Sequence, residues 1–163
     1  MSEPAPTGAI LNDTTIVSDT VEIDAPADVV WGVIVDFARY GEWNPFTVKV
    51  EAVLELGSPV VLHLPDPANA GETFQTHEQI SAITPPRHLQ YNTGDSIPGV
   101  HAVRDQWVEV LGDERSSYRT TDVFSGEHAK AIYDLQAEWV TAGFNATAYA
   151  LKARAEQVWK ADR

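Results

Sequence analysis

The sequence predicts an α+β fold, in which a curved antiparallel sheet of about seven strands wraps around one long C-terminal helix, with two short helices after the first strand. Alternating, β-branched segments fill the middle of the chain. Their short connections favour antiparallel neighbours. After Gly126 the apolar spacing becomes helical. A length of 163 residues indicates one domain.

The N-terminal third predicts a tail, a strand and two helices. Residues 1–13 are rich in Pro, Ala, Gly and polar side chains, which is typical of a flexible tail, so the domain is expected to span 14–160. TTIVSDTVEI, residues 14–23, alternates as a strand does. Asp24 and Pro26 then suit a helix N-cap and first turn. A second short helix, ARYGEW, is expected before Asn44 and Pro45.

Six further strands are expected between residues 47 and 124. Gly and Pro clusters separate them and mark the turns. The segments are TVKVEAVLEL, PVVLHL, ETFQTHEQISAI, HLQYNT, AVRDQWVEVL and SSYRTTDVF.

The last segment predicts a long amphipathic helix. Its apolar residues recur at spacings of three and four, which places them on one face; they are Phe144, Ala148, Leu151, Ala155 and Val158. Gly143 weakens a helix interior, so a kink or break is expected near 141–143. The lead-in at 127–142 is either a lid over the interior or a helix on the outside of the domain.

Composition excludes several functional classes. The net charge of −13 argues against nucleic acid and anionic membrane surfaces as partners. The absence of cysteine excludes disulfides and thiolate sites. No segment has the length of a membrane span, and the N-terminus lacks the pattern of an export signal, so a cytoplasmic protein is expected. The five histidines show no HxH or HExxH spacing, so no metal is expected. The oligomeric state is left open.

The order of motifs resembles the START/Bet v 1-like (SRPBCC) superfamily, in its polyketide cyclase/dehydrase-like branch. The segment VEIDAPADVVWGVIVDFARYGEWNPF, the Pro85–Pro86 bend, the Phe124–Gly126 junction and the helix FNATAYALKARAE carry the resemblance. It implies a helix-grip fold with a hydrophobic cavity. It also implies a small hydrophobic or aromatic ligand, and no cofactor is expected. Fold alone leaves the function open, because relatives include enzymes, receptors, carriers and chaperone activators.

Asp122 is the most informative candidate, because it alternates with Tyr118, Thr120 and Phe124 on the apolar face of a predicted strand. Two registers with the preceding strand compete. One sets Arg104 opposite Asp122, and the other sets Asp105 there, which places like charges together. We favour the first. The Arg104–Asp122 pair then either binds and protonates a ligand or forms a structural ion pair.

Further residues are candidates for the site, each with a structural alternative. Alternation favours an inward Glu78 as a general base, although it could be a surface charge. Trp43 could stack on a ligand or belong to the core, and the phenols of Tyr91 and Tyr118 could bind ligand oxygens or backbone. The candidate catalytic set is Arg104, Asp122, Glu78 and Tyr118, and the ligand-binding set is Trp43, Phe46, Tyr91, Gln106, Thr120, Phe124, Phe144, Ala148 and Leu151.

The candidate residues and the family resemblance lead to two main hypotheses for the function. The first is cofactor-independent acid/base chemistry, such as cyclisation or dehydration, on a hydrophobic or aromatic carbonyl compound held in the cavity. The second is non-catalytic binding or transport of a hydrophobic small molecule. The polar inward residues favour the first, because a lipid carrier prefers an apolar interior. A protein-interaction module is a third possibility, which would need an exposed apolar patch.

Overall fold

The computed structural model describes residues 6–162. Eight strands and three helical segments follow one another along the chain: β1 (Thr15–Val17), β2 (Val21–Ile23), α1 (Ala27–Val35), a 3₁₀-helix (Phe37–Glu42), β3 (Lys49–Glu51), β4 (Pro59–Pro65), β5 (Thr73–Thr84), β6 (His88–Asn92), β7 (His101–Gly112), β8 (Arg115–Ser125) and α2 (Ala129–Ala161).

All strands belong to one antiparallel sheet with the order β1-β8-β7-β6-β5-β4-β3, and β2 also pairs with β8. The six strands from β3 to β8 therefore form a meander, as the short connections predict. The predicted first strand is two strands, because the chain leaves the ladder around Ser18. There the Ser18 hydroxyl oxygen accepts a hydrogen bond from the Thr120 N–H. Strand β3 is shorter than its predicted segment, and Val53 beyond it is exposed.

Helix α1 begins two residues later than expected. Pro26, in an extended conformation, occupies the N-cap position, and its carbonyl accepts the N–H groups of Val29 and Val30. Asp24 is therefore not the cap. Its backbone N–H instead donates to Glu156 of α2 at 2.8 Å, which ties the start of α1 to the C-terminal helix.

Helix α2 is continuous from Ala129 to Ala161, so the predicted break near Gly143 is wrong. Gly143 has a packing role instead, because a Cβ atom there would overlap the Phe46 ring. The segment expected as a separate lead-in is the first half of this helix. Gly126 joins β8 to α2 with a φ of 106°, where a Cβ would meet the Gly99 carbonyl.

The outer face of the sheet carries a small polar cluster that sequence reasoning missed. His88 and Asp105 are both about 1% exposed and lie 2.6 Å apart, from Nε2 to Oδ1. Trp107 stacks on the His88 ring, with centroids 4.1 Å apart. Within the region predicted as a flexible tail, Gly8 contacts Trp107 and the Ala9 N–H donates to Asp105 Oδ2. Contacts from the N-terminal segment therefore cover the outward-facing Trp107.

Two apolar clusters fill the space between the sheet and α2. The first lies around α1, the 3₁₀-helix and the second half of α2, and includes Ile34, Leu89 and Leu151. The second lies at the first half of α2 and includes Phe46, Phe124 and Phe144. Among residues 6–162, no helix is both long and apolar enough to cross a membrane.

Candidate functional site

A cavity of about 130 Å³ lies between the sheet and the first half of α2. Most of its lining is apolar or aromatic, and three ionisable side chains reach it from neighbouring strands. These are Glu78 from β5, Arg104 from β7 and Asp122 from β8. The remaining lining residues are Phe46, Thr47, Leu62, Leu64, Phe74, Thr76, Thr93, Ile97, Ala102, Phe124, Gln136, Trp139, Val140 and Phe144.

Strand register brings the charged groups together. Arg104 is the Cα partner of Asp122, and Gln106 is the partner of Thr120, so the favoured register is confirmed. Asp105 consequently faces outward, where it pairs with His88. On β5 the side chains alternate so that Glu78 reaches the cavity and His77 is exposed, as the pattern predicts.

Arg104 does not form the predicted ion pair with Asp122. Its Nε donates to Thr120 Oγ1 at 3.1 Å and its Nη1 to the Tyr91 hydroxyl at 3.2 Å. The guanidinium carbon lies 4.4 Å from the centroid of the Phe144 ring. These contacts direct Nε and Nη1 of the guanidinium to residues other than Asp122. They also hold the cation on an aromatic face, a favourable arrangement in a desolvated site.

Asp122 therefore keeps a carboxyl oxygen without a protein partner. Its Oδ1 is buried and accepts no hydrogen bond from residues 6–162. Burial raises the pKa of Asp122 to about 7, although the Arg104 charge acts in the opposite direction. A buried polar atom without a partner is uncommon in folded proteins, and a catalytic role is one of its recognised explanations.

Glu78 is the second carboxyl group of the cavity. Burial, followed by the charge of Asp122, raises the pKa of Glu78 to about 8. The Thr76 hydroxyl donates to Glu78 Oε2 at 3.5 Å, a long bond that holds the charged form only weakly. Two carboxyl groups that titrate near neutrality can exchange protons with a bound molecule, which ordinary carboxylates do poorly.

A chain of hydrogen bonds lies behind Arg104. The Tyr118 hydroxyl donates to Gln106 Oε1 at 2.6 Å, and Gln106 Nε2 donates to the Tyr91 hydroxyl at 3.3 Å. Tyr91, Gln106, Tyr118 and Thr120 are buried, but none of them lines the cavity. Tyr118, which we expected in a catalytic position, therefore does not line the cavity. These four side chains support Arg104 instead of facing a ligand.

Among the aromatic and helical candidates, some line the cavity and others belong to the core. Phe46, Phe124 and Phe144 line the cavity, as expected. Trp43 does not, because its ring packs against Tyr40 at 5.1 Å. Ala148 and Leu151 are at most 1% exposed and belong to the filled part of the core.

The first half of α2 forms a wall of the cavity, which the sequence analysis did not predict. Gln136, Trp139 and Val140 all contribute to the lining. The signal was present, because Gln136 and Val140 continue the Phe144 stripe backwards at spacings of four. Because a helix break was expected at Gly143, Gln136 and Val140 were not assigned to the same helix face as Phe144.

The described residues hold no group of three or more His, Asp or Glu side chains arranged to bind a metal ion. The lining of the cavity includes two carboxyl groups, those of Glu78 and Asp122, and one guanidinium group, that of Arg104. That charge balance suits a polar organic ligand better than a divalent cation, which prefers several oxygen ligands and no neighbouring guanidinium.

Residues 14–156 match the family described as "Polyketide cyclase / dehydrase and lipid transport". No curated protein shows significant sequence similarity to this chain. Among solved structures, the ZhuI aromatase/cyclase from Streptomyces sp. R1128 is 27% identical with a TM-score of 0.68, over 88% of this chain and 93% of that protein.

Two more distant structures share the fold. A START superfamily protein from Mycobacterium smegmatis is 16% identical with a TM-score of 0.65, over 88% of this chain and 98% of its own. BexL, a di-domain ARO/CYC protein from the BE-7585A biosynthetic pathway, is 18% identical with a TM-score of 0.61. That alignment covers 87% of this chain and 50% of BexL. The helix-grip fold predicted from the motif order is thus confirmed.

Proposed function

Because this chain belongs to the polyketide cyclase / dehydrase and lipid transport family, we propose that it binds a small hydrophobic or aromatic carbonyl compound in the cavity beneath α2. On that ligand it performs cofactor-independent acid/base chemistry of the kind that drives cyclisation or dehydration. A cytoplasmic location and the lack of a nucleic-acid partner remain predictions from sequence.

One observation carries the proposal, namely two carboxyl groups and one guanidinium in a cavity that is otherwise mainly apolar. The pKa of Asp122 is raised to about 7 and that of Glu78 to about 8, chiefly by burial. Near neutral pH, one carboxyl group can therefore be ionised while the other is protonated. Such a pair supplies a base and an acid together.

The chemistry follows from these states. The ionised carboxylate accepts a proton from the carbon next to the ligand carbonyl, and the electron pair of that C–H bond forms the enolate. The Arg104 guanidinium, held by Thr120 and Tyr91, stabilises the negative oxygen. The protonated carboxyl group then returns a proton to the enolate or to a leaving hydroxyl, which departs as water.

The 27% identity to an aromatase/cyclase supports an enzymatic role. A non-catalytic carrier is the second candidate, and the apolar and aromatic majority of the lining favours it. The two functions differ in one respect that can be measured, because a carrier returns its ligand unchanged.

Proton exchange tests the proposal without knowledge of the natural substrate. We would incubate the protein with propiophenone in D₂O and follow loss of the α-proton signal by NMR. Wild-type protein is expected to accelerate exchange by at least about 100-fold over buffer, the usual range for positioned acid/base groups. Asp122→Asn and Glu78→Gln are each expected to lose most of that acceleration.

Glu72→Gln provides the matched control, because Glu72 is exposed and precedes the same strand β5. It should exchange at the wild-type rate. Binding of the ketone without accelerated exchange, in wild-type protein and both cavity variants alike, would leave the carrier as the function.

A further inference from the structure

The polar chain behind Arg104 divides the interior of the protein into a filled part and a hollow part. Arg104 lines the cavity, whereas its partner Tyr91 and the next residue, Gln106, do not. Beyond them, Tyr118 and Leu151 are each 1% exposed. A ligand therefore meets the guanidinium as the floor of its site and cannot extend toward the second half of α2.

The hollow part is small. Its volume of about 130 Å³ is close to that of cavities that hold a single benzene ring, about 150 Å³. Sites for drug-sized ligands span roughly 300–1,000 Å³. One aromatic ring with short substituents fits this space, whereas fused rings require the walls to move.

The walls favour a flat, aromatic occupant. Phe46 packs edge-on against Phe144 at 85° and against Trp139 at 67°, with centroid distances of 6.1 and 5.1 Å. Phe74 lies 5.9 Å from Trp139. A ligand ring gains from contact with either the edge or the face of such a ring.

The polar groups specify the substituents. Asp122 Oδ1 is buried without a donor in residues 6–162, so it calls for a ligand hydroxyl or N–H group. The hydrogen bonds of Arg104 to Thr120 and Tyr91 use Nε and Nη1, and Nη2 takes part in neither of them. A guanidinium N–H at the floor of the cavity suits a carbonyl oxygen.

From this geometry we propose that the cavity selects one-ring aromatic carbonyl compounds that carry a hydroxyl group, with the hydroxyl on Asp122 and the carbonyl oxygen on Arg104, and excludes fused-ring ligands. This selectivity rests on the proposed function, since it concerns the same site. The residues that set the size limit are Phe74, Trp139 and the Arg104–Tyr91 pair.

Calorimetric titration with three compounds tests both parts of the inference. These are 3-hydroxyacetophenone, acetophenone and the fused-ring 6-acetyl-2-naphthol. We expect 3-hydroxyacetophenone to bind at least about tenfold more tightly than acetophenone, because a site built for a hydroxyl is left unpaired without it. The naphthol should bind at least about tenfold more weakly than 3-hydroxyacetophenone.

Variants then assign each effect to its residue. Asp122→Ala should remove the preference for the hydroxyl, leaving 3-hydroxyacetophenone and acetophenone within about twofold. Phe74→Ala should admit the naphthol and reduce its disadvantage to about threefold or less. Tyr133→Ala is the matched control, because Tyr133 is a half-buried aromatic residue outside the cavity lining that packs on Phe124. It should keep the wild-type ranking.

Ile97→Ala serves as the second enlarged variant if Phe74→Ala does not fold, since Ile97 lines the cavity and is 37% exposed. Equal affinity of the naphthol and 3-hydroxyacetophenone for wild-type protein would overturn the size limit. Failure of 3-hydroxyacetophenone to bind at millimolar concentration would overturn the whole inference.

Failure of the inference and failure of the proposed function give different results. Rapid α-proton exchange in fused-ring ketones, as fast as in propiophenone, would retain the acid/base function and remove the size limit. Selective binding of the hydroxylated one-ring ketone without any exchange would retain the selectivity and remove the catalytic function.

Discussion

Asp122 brings a carboxyl oxygen into the interior at an energetic cost. Its Oδ1 has no hydrogen-bond partner in the described part of the chain. Arg104, the residue directly across the ladder, directs its hydrogen bonds to Thr120 and Tyr91. The charged form of Asp122 is thus desolvated and only partly compensated.

That cost depends on pH. The pKa of Asp122 in the folded protein, about 7, lies above the ordinary value near 3.8. The group therefore binds its proton more tightly when folded, and its own contribution to stability is greatest below pH 3.8 and is lost as the pH rises through 7. Burial raises the pKa of Asp122, the Arg104 charge lowers it, and the Asp105 charge raises it. The pKa of Glu78 is raised in the same sense as that of Asp122, by burial and by the Asp122 charge.

We expect Asp122→Asn to stabilise the protein by about 1–3 kcal/mol at pH 9, because it removes a buried charge and keeps the shape. At pH 3.5 the two proteins should differ by less than about 0.5 kcal/mol, since Asp122 is then protonated in the folded state and largely protonated in the unfolded chain. Urea unfolding at both pH values measures the difference. Equal stabilisation at both values would show that the charge of Asp122 is not the cause.

At the residue scale, the sequence predicts which side chains face the interior better than it predicts their hydrogen-bond partners. The two-residue period of a strand places Glu78 and Asp122 inward, and the avoidance of like charges fixes the register of Arg104. The partner of Arg104 depends on which hydrogen-bonding groups surround a long, flexible side chain. Tyr91 is 13 residues distant in sequence, and no local pattern joins the two.

At the scale of single elements, Gly143 shows how a tertiary contact overrides helix propensity. A glycine in a helix interior costs up to about 1 kcal/mol relative to alanine, which is why the sequence predicts a break there. The structure instead uses the missing side chain as space for the Phe46 ring, which helps to form the cavity wall. The cause lies about a hundred residues away, beyond the reach of a local pattern.

Gly143→Ala should therefore destabilise the protein by about 1–3 kcal/mol, because the added methyl group must displace the Phe46 ring. Gly32→Ala is the matched control in α1. Gly32 is exposed, and a Cβ there has no neighbour within 4 Å, so we expect a gain of about 0.5–1 kcal/mol. Thermal unfolding of both variants provides the comparison. A stabilising Gly143→Ala would show that the helix tolerates a side chain at the Phe46 contact.

For the whole molecule, the dominant electrostatic feature is an excess of acidic residues. The chain has 24 acidic and 11 basic residues, and its net charge is −13. Several of its ion pairs, such as Lys130–Asp134 and Arg115–Glu22, are exposed and stabilise the fold little. Repulsion among the remaining acidic groups opposes the compact state.

Sodium chloride should accordingly raise the melting temperature. Between 20 mM and 500 mM salt, we expect an increase of about 2–5 °C at pH 7.5, because screening weakens the repulsion. Glu72→Lys, a charge reversal at an exposed position, should raise the melting temperature at low salt and reduce the salt response. A melting temperature that falls with salt in both proteins would contradict net repulsion.

At this scale the sequence predicts the architecture well. Alternation, turn residues and helical spacing are local signals, and they indicate the meander, the long helix and their order. The division of the interior is a different kind of property. It depends on whether Tyr118 and Leu151 fill their space while Phe46 and Phe144 do not, and side-chain volumes add up to a cavity only after folding.

The divided interior also places the residues that stabilise the fold and the residues that border the cavity in different parts of the protein. Mutations around Ile34, Leu89 and Leu151 act on a filled core, where changes in volume threaten folding. Positions such as Phe74, Ile97 and Gln136 border empty space; Phe74 and Gln136 are half-buried, and Ile97 is exposed. A directed-evolution library confined to this second set should therefore contain a high proportion of folded clones, which would make the scaffold a practical starting point for new small-ligand catalysts.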